Sequence, residues 1–339
     1  MRKHALASLL LGLLLSGAGM WYALRGVDLV AMVQGMGRIG ALWVIGSVAA
    51  GLFSLVLRAI RWRFLLDASR PVGVGPLVSA TFIGIMANNL LPARLGEAVR
   101  AWVLAKHQRR PVPTVFASIL VERLLDVIML LILFGFAMFA SPALDSGTVV
   151  RFRATGLVVL GAVTLGLVAL ALAVRYRARL AEVEARWVEE QKPAWRCRLI
   201  GLVHRFVEGL WVLRGITHML VVAALSVCVW GASIASFQVL ADGFDLGLTI
   251  TQTTLVFGIV AFGIAIPSAP GFIGTFHGFC VAGLTLVAGT DSTTALAYAT
   301  VLHGSQWLTI NVIGLGYLLA LRSVAWPELT RLLRRGPSR

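Results

Sequence analysis

The sequence predicts an all-α polytopic membrane helix bundle, and three observations lead to it. Of its 339 residues, 58% are hydrophobic and 13% charged, and the mean hydropathy of +0.87 is far above that of a soluble domain. Apolar runs long enough to cross a hydrocarbon core of roughly 30 Å recur along the chain. Two of these runs are broken by Pro and Gly where a plain span would continue. The net charge of +15 would point to nucleic acid in a soluble protein. Here the basic residues stand in short loops between apolar runs, a pattern of membrane topology, so nucleic acid is not an expected partner.

Six runs read as plain spans: 5–24, 41–57, 115–140, 154–174, 219–240 and 295–321. The first also has the charged start, apolar middle and small-residue end of a secretory signal. The spans that follow it, and the interfacial pair Trp21 and Tyr22, favour a membrane helix. The interrupted regions are 76–106 and 249–289. In the earlier one Pro92 lacks an amide donor and ends the helix through Phe82 to Leu91. Beyond it Arg94, Glu97 and Arg100 recur every three residues on one face of a new helix. Gly96 follows Pro92 by four in P-A-R-L-G, as Gly274 follows Pro270 by four in P-G-F-I-G. Gly271 lies inside the later motif and Pro267 adds a second break before it.

Charge chooses the topology, because cytoplasmic loops carry the Lys and Arg excess. If both interrupted regions are re-entrant hairpins, segments 1–4, 58–75, 92–112, 175–217 and 322–339 are cytoplasmic and hold 25 of the 30 basic residues. If the first region crossed instead, the nine basic residues of 175–217 would move outside. The re-entrant reading puts both termini in the cytoplasm. It divides one membrane domain, 1–339, into a first half, 1–174, with hairpin 76–106, a cytoplasmic amphipathic linker, 175–217, and a second half, 218–339, with hairpin 249–289. The hairpins then form an inverted repeat, and paired interrupted segments point to a transporter's binding site. Within the linker Trp195, Leu199, Leu202, Phe206 and Leu210 recur at helical spacing, as in a helix lying in the interface.

Of the 15 acidic residues only Glu97, Glu122 and Asp126 fall at membrane depth, where Arg94, Arg100 and Arg123 match them. A charge there costs at least about 2.5–3.5 kcal/mol on insertion scales, so such groups pair or face a cavity. Glu122 and Asp126 share a helix face with Thr114 and Ser118. They serve either a site or an ion-pair network fastening this helix to the hairpin. Asn88 and Asn89 before the first break, and Ser268, Thr275 and His277 around the second, complete the candidate substrate-binding set. The last span adds His303 and Gln306. No Ser/His/Asp order, dinucleotide fingerprint or P-loop is present. Cys197, Cys228 and Cys280 show neither CxxC pairing nor metal-ligand spacing to His, so no disulfide, metal or cofactor is expected.

The motifs NNLLPARLGEAVR at 88–100, ERLLD at 122–126 and PSAPGFIGTFHG at 267–278 resemble those of the lysylphosphatidylglycerol synthase transmembrane-region family, over essentially the whole chain. The resemblance implies a flippase-like inner-membrane protein of bacteria that moves, or helps to modify, lipids and lipid-linked intermediates. By motif, Pro92, Arg94, Gly96, Glu97 and Arg100 match the first signature, Glu122, Arg123 and Asp126 the second, and Pro270, Gly271 and Gly274 the third. Where the third motif commonly ends in an acidic residue, this chain has His277. The resemblance is to stand-alone members, without an aminoacyl-transferase domain; these also resemble proteins of hopanoid and polyprenyl-lipid pathways, so the family leaves the substrate open among (poly)isoprenoid, hopanoid and phospholipid classes.

The leading expectation is a lipid translocase. Arg94 and Arg100 meet an anionic headgroup, helped by the free amides of the half-helix after Pro92. Glu97, Glu122 and Asp126 hold the arginines or relay protons. The breaks close on one cavity, with Ser268, Thr275 and His277 on its outer side. The alternatives are a membrane enzyme transferring a sugar or headgroup to a lipid carrier, with Glu122 or Asp126 as base, and a partner of a lipid-synthesis enzyme.

Overall fold

A computed structural model describes residues 2–66, 71–91, 94–140, 161, 176–190, 193, 195–196, 200, 216–266 and 268–321. Every element among them is helical: α1 (Arg2–Leu24), α2 (Leu29–Arg38), α3 (Ala41–Leu65), α4 (Val74–Leu90), α5 (Gly96–His107), α6 (Val112–Ala140), α7 (Arg177–Glu189), α8 (Ile216–Gly243), α9 (Ile250–Ala265), α10 (Thr275–Ala288) and α11 (Ser292–Ala320). A 3-10 turn, Pro270–Phe272, joins α9 to α10. Ala41–Leu65 and Thr217–Gly243 are each long and apolar enough to cross a membrane. The protein is a multi-pass, all-α membrane bundle. Nearly all of the expected span 154–174 and of the amphipathic stretch 195–210 lies outside the described residues, as do Pro92 and Pro267.

Two features depart from the sequence reading. The chain turns by 86° after α1, and α2 starts where the Asp28 carboxylate accepts the amides of Val30 and Ala31, an N-cap that precedes an amphipathic decamer. The second departure is the length of α3. It does not stop near Leu57 but runs two further turns to Leu65. No Gly or Pro interrupts residues 58–70, and Ala59, Trp62 and Leu65 continue one buried face. Arg58 and Arg61, expected in a cytoplasmic loop, are therefore inside the bundle.

Each interrupted region folds back on itself. A side chain at Gly84 of α4 would meet Arg100 Cβ of α5 at 2.6 Å, so these helices touch backbone to backbone as a tight hairpin. In the later hairpin Gly263 of α9 lies under the Phe279 ring of α10. The α1 helix packs along the second hairpin with the same intimacy. Ser16 Oγ accepts the Ala269 amide at 2.8 Å, and a Cβ on Gly19 would stand 2.7 Å from the Gly274 carbonyl. Gly274 itself has φ +92 and no room for a side chain beside the Ser16 carbonyl, a conformation in which glycine is strain-free.

Two apolar clusters sit at opposite ends of the long helices. One gathers Phe134 and Ala137 of α6, Leu240 of α8 and Leu296 of α11. The other gathers Ile119 of α6, Val222 of α8 and Leu318 of α11, around Trp62 and Leu104. Between them α3 and α8 are zipped by hydroxyls: Ser47 donates to the Ser236 carbonyl at 2.8 Å and Ser54 to that of Val229 at 2.9 Å. In an apolar environment such contacts hold helices that hydrophobicity alone would not.

A charged cavity between the two hairpins

The acidic pair of α6 lies between the apolar clusters, facing α3 and α5. Glu122, fully buried, accepts from Arg100 at 2.8 Å, from Arg123 at 2.9 Å and from Arg58 at 3.3 Å. Asp126 accepts from Arg58 at 2.5 Å and Arg61 at 2.7 Å, and stands 3.4 Å from Arg123. The sequence reading matched these carboxylates with Arg94, Arg100 and Arg123 and missed Arg58 and Arg61. The signal was their spacing of three on an unbroken helix whose next residue, Trp62, is apolar. Arg61 has no exposed surface and also donates to Ser226 Oγ at 3.0 Å. The Arg100 guanidinium lies 3.9 Å over the Trp62 ring, and Trp62 Nε1 donates to Ser118 Oγ at 2.9 Å. One network thus ties α3, α5, α6 and α8 at membrane depth, where unpaired charge is costly.

Arg94 does something else. It stands just before α5 with φ +52, and its guanidinium reaches across to the second hairpin, donating to the carbonyls of Ile264 and, at 3.3 Å, Ile266. Those carbonyls end α9 and have no partner further along the helix, which is where a cation is favourable. The same guanidinium lies 5.4 Å over the Phe272 ring, and Gly271 comes so close that an added Cβ would be 3.2 Å from the Asn89 carbonyl. The two breaks meet.

At their junction is a cavity of about 470 Å³. Arg58, Arg94, Glu97, Arg123 and Asp126 form its charged wall, and Ser54, Ser233, Ser236 and Gln306 a neutral polar one, with Phe257 and Phe272 between. A recess of about 200 Å³ beside it is lined by Arg58, Asn88, Glu97, Arg100 and Arg123. Arg123 keeps 42% of its side chain exposed, against 5% for Arg100 and 13% for Arg58, so it is the guanidinium most open to a ligand among the bridging four. Asn88 Oδ1 accepts the Gly96 amide at 2.7 Å. The first amide of α5, expected to be free for an anion, is therefore capped from α4. Asn89 is buried, its Nδ2 without a partner.

Ser268, Thr275 and His277 do not line this cavity. Ser268 abuts Gly12 of α1, Thr275 donates to the Phe272 carbonyl at 3.0 Å, and His277 packs 5.2 Å from the His303 ring. They occupy the far side of the second hairpin, because the turn at Pro270–Phe272 directs Phe272 and Phe276 inward instead. Among the described residues no group of three or more His, Cys, Asp or Glu gathers to hold a metal.

The fold and the site define a multi-pass helix bundle with broken hairpins around an arginine-rich cavity, and charge gathered inside such a bundle pairs or faces a cavity. The chain belongs to the family described as the lysylphosphatidylglycerol synthase TM region, which it matches over residues 9–314. It is 25% identical to glycosyltransferase AglD of Haloferax volcanii over 91% of this chain and 54% of that protein. It is 23% identical to a UPF0104 membrane protein of Methanothermobacter thermautotrophicus, covering 80% of this chain and 83% of the relative. A UPF0104 membrane protein of Pyrococcus horikoshii, PH1989, is 31% identical over 38% of each chain. The chain spans about half the length of the glycosyltransferase it matches. No solved structure matches it.

Proposed function

We propose that the protein translocates an anionic lipid or lipid-linked intermediate, binding its headgroup in the cavity between the hairpins. The carrying observation is that Arg94 joins the first hairpin to the end of α9 by hydrogen bonds to Ile264 and Ile266 while its flank lines the cavity. Carbonyls are weaker partners for guanidinium than phosphate, which offers bidentate, charge-assisted bonds. A headgroup arriving at Arg123 and Arg58 competes for Arg94, releases the hairpins from one another and opens the cavity to the other side of the membrane. Two interrupted segments meeting at one cavity are what an inverted-repeat transporter would require, which supports the same reading. Glu122 and Asp126 hold the arginines in place, with Glu97 beside Arg94.

The likeness to a glycosyltransferase over most of this chain favours a second reading, in which the bundle presents a lipid carrier to an enzyme of lipid modification. Reconstitution separates the two. Proteoliposomes containing the full chain should move a fluorescent anionic lipid to the opposite leaflet, and Arg94→Lys should remove most of that movement while leaving expression intact. Absence of movement with any anionic headgroup, alongside binding of one, would favour the presenting role.

A further inference from the structure

The substrate class follows from the charge balance of the cavity, and the argument rests on the headgroup site proposed above. Among the described residues five guanidiniums gather there: Arg58 and Arg61 from α3, Arg94 and Arg100 from the first hairpin, and Arg123 from α6. Three carboxylates face them, Glu97, Glu122 and Asp126. Among the described residues the walls supplied by α8, α9 and α11 add only neutral groups, including Ser233, Ser236, Phe257 and Gln306. Arginine does not deprotonate in proteins, so the site carries two positive charges in excess, and protonating any carboxylate would enlarge that excess. Donors are left over as well. Arg100, only 5% exposed, has Nε and Nη2 without partners, as has Arg123 at Nε, and both side chains line the inner recess.

From this we infer that the lipid carries a terminal phosphate monoester, a dianion, rather than a phosphodiester. A phosphodiester brings one negative charge and two anionic oxygens, leaving the loaded cavity charged at membrane depth. A zwitterionic headgroup leaves the full excess. A monoester brings two charges and three anionic oxygens, which neutralise the site and meet the unfilled donors of Arg100 and Arg123.

Dodecyl phosphate and its methyl diester share a tail and differ in one ionisable oxygen. Titrated by calorimetry into the full chain in phosphatidylcholine nanodiscs, the monoester should bind about tenfold tighter or more at pH 8, the scale of one added charge-assisted hydrogen bond. That ratio should shrink as pH falls through the second phosphate ionisation at about 6, since the diester has no second ionisation and stays a monoanion throughout. In Arg123→Gln, at the most exposed of the bridging arginines, the preference should vanish while the diester still binds. Inorganic phosphate should bind at least about tenfold more weakly than dodecyl phosphate, because it lacks the buried tail. Equal affinities for the two alkyl phosphates at every pH would overturn the dianion while leaving the headgroup site standing. Inorganic phosphate as tight as dodecyl phosphate would overturn the lipid and assign a soluble phosphate compound. Failure of both alkyl phosphates to bind would overturn the site and the translocase reading together.

Discussion

Replacing Asp126 by Asn should destabilise the protein far more than its single lost charge implies. Asp126 accepts from Arg58 at 2.5 Å and from Arg61 at 2.7 Å. After the change Arg58 still has Glu122 at 3.3 Å. Arg61, fully buried, is left with the Ser226 hydroxyl at 3.0 Å and Glu122 at 3.9 Å. Removing one partner of a buried ion pair costs about 3–5 kcal/mol, because the other charge stays behind unpaired. On the scale of large soluble domains, about 2–4 °C per kcal/mol, the melting temperature of the detergent-solubilised chain should fall by roughly 6–20 °C. Adding Arg61→Met to Asp126→Asn removes the orphaned charge, so the double variant should recover about 1–3 kcal/mol relative to additivity. A variant Asp126→Asn that melts with the parent, or a double variant as unstable as the sum of its singles, would refute the account of Asp126 as the fastener of α3 to α6.

Gly274→Ala should lose at least about 1–3 kcal/mol, since its φ of +92 and the nearby Ser16 carbonyl admit no side chain, whereas Gly304→Ala, with open space around it, should be near neutral; thermal melts of both variants check this. Asp291 caps α11 by accepting the Thr294 amide at 2.9 Å, so Asp291→Ala should cost about 1 kcal/mol. That bond holds the Asp291 carboxyl below its usual range. Its contribution is therefore present above the unfolded value and lost as pH falls through the folded one, so the gap between parent and variant should close in acid. Cysteines at Gln108 and Asp242 should react from opposite sides of the membrane, Gln108 from the cytoplasm; labelling of Gln108 from outside only would sink the re-entrant topology.

Hydropathy and Pro/Gly punctuation carry the fold class, the long helices and the two hairpins, because apolar length and helix breaking are local properties that a sequence states directly. The α6 acids were equally legible, as Glu122 and Asp126 have no reason to sit in an apolar run unless paired. Arg58 and Arg61 were not, for a physical reason. A hydropathy window ends where charge begins, so a helix that runs on through charged residues looks like a span followed by a basic loop, and counting those arginines as cytoplasmic reinforced the error. The meeting of the hairpins through Arg94 and Ile264 is a contact 170 residues apart, and nothing local encodes it. Ser268, Thr275 and His277 mark the right turn, but which way it faces depends on how α1 packs, and that is a tertiary choice.

The packing of α1 has a mechanical consequence. With Ser16 bonded to Ala269 and Gly19 set against Gly274 and Gly278 at distances that exclude even a methyl group, α1 at these positions meets the second hairpin with no side chain between their backbones to act as a sliding layer. Small residues at a helix interface let the backbones approach closely and pack without a gap. If the Arg94 bridge opens as proposed, the moving part should include the amino-terminal helix, whose turn into α2 is joined to the start of α11 by the 3.1 Å hydrogen bond from the Asp28 amide to Thr293. A cross-link pinning α1 to α10 should leave turnover untouched, while one pinning α5 to α9 should stop it.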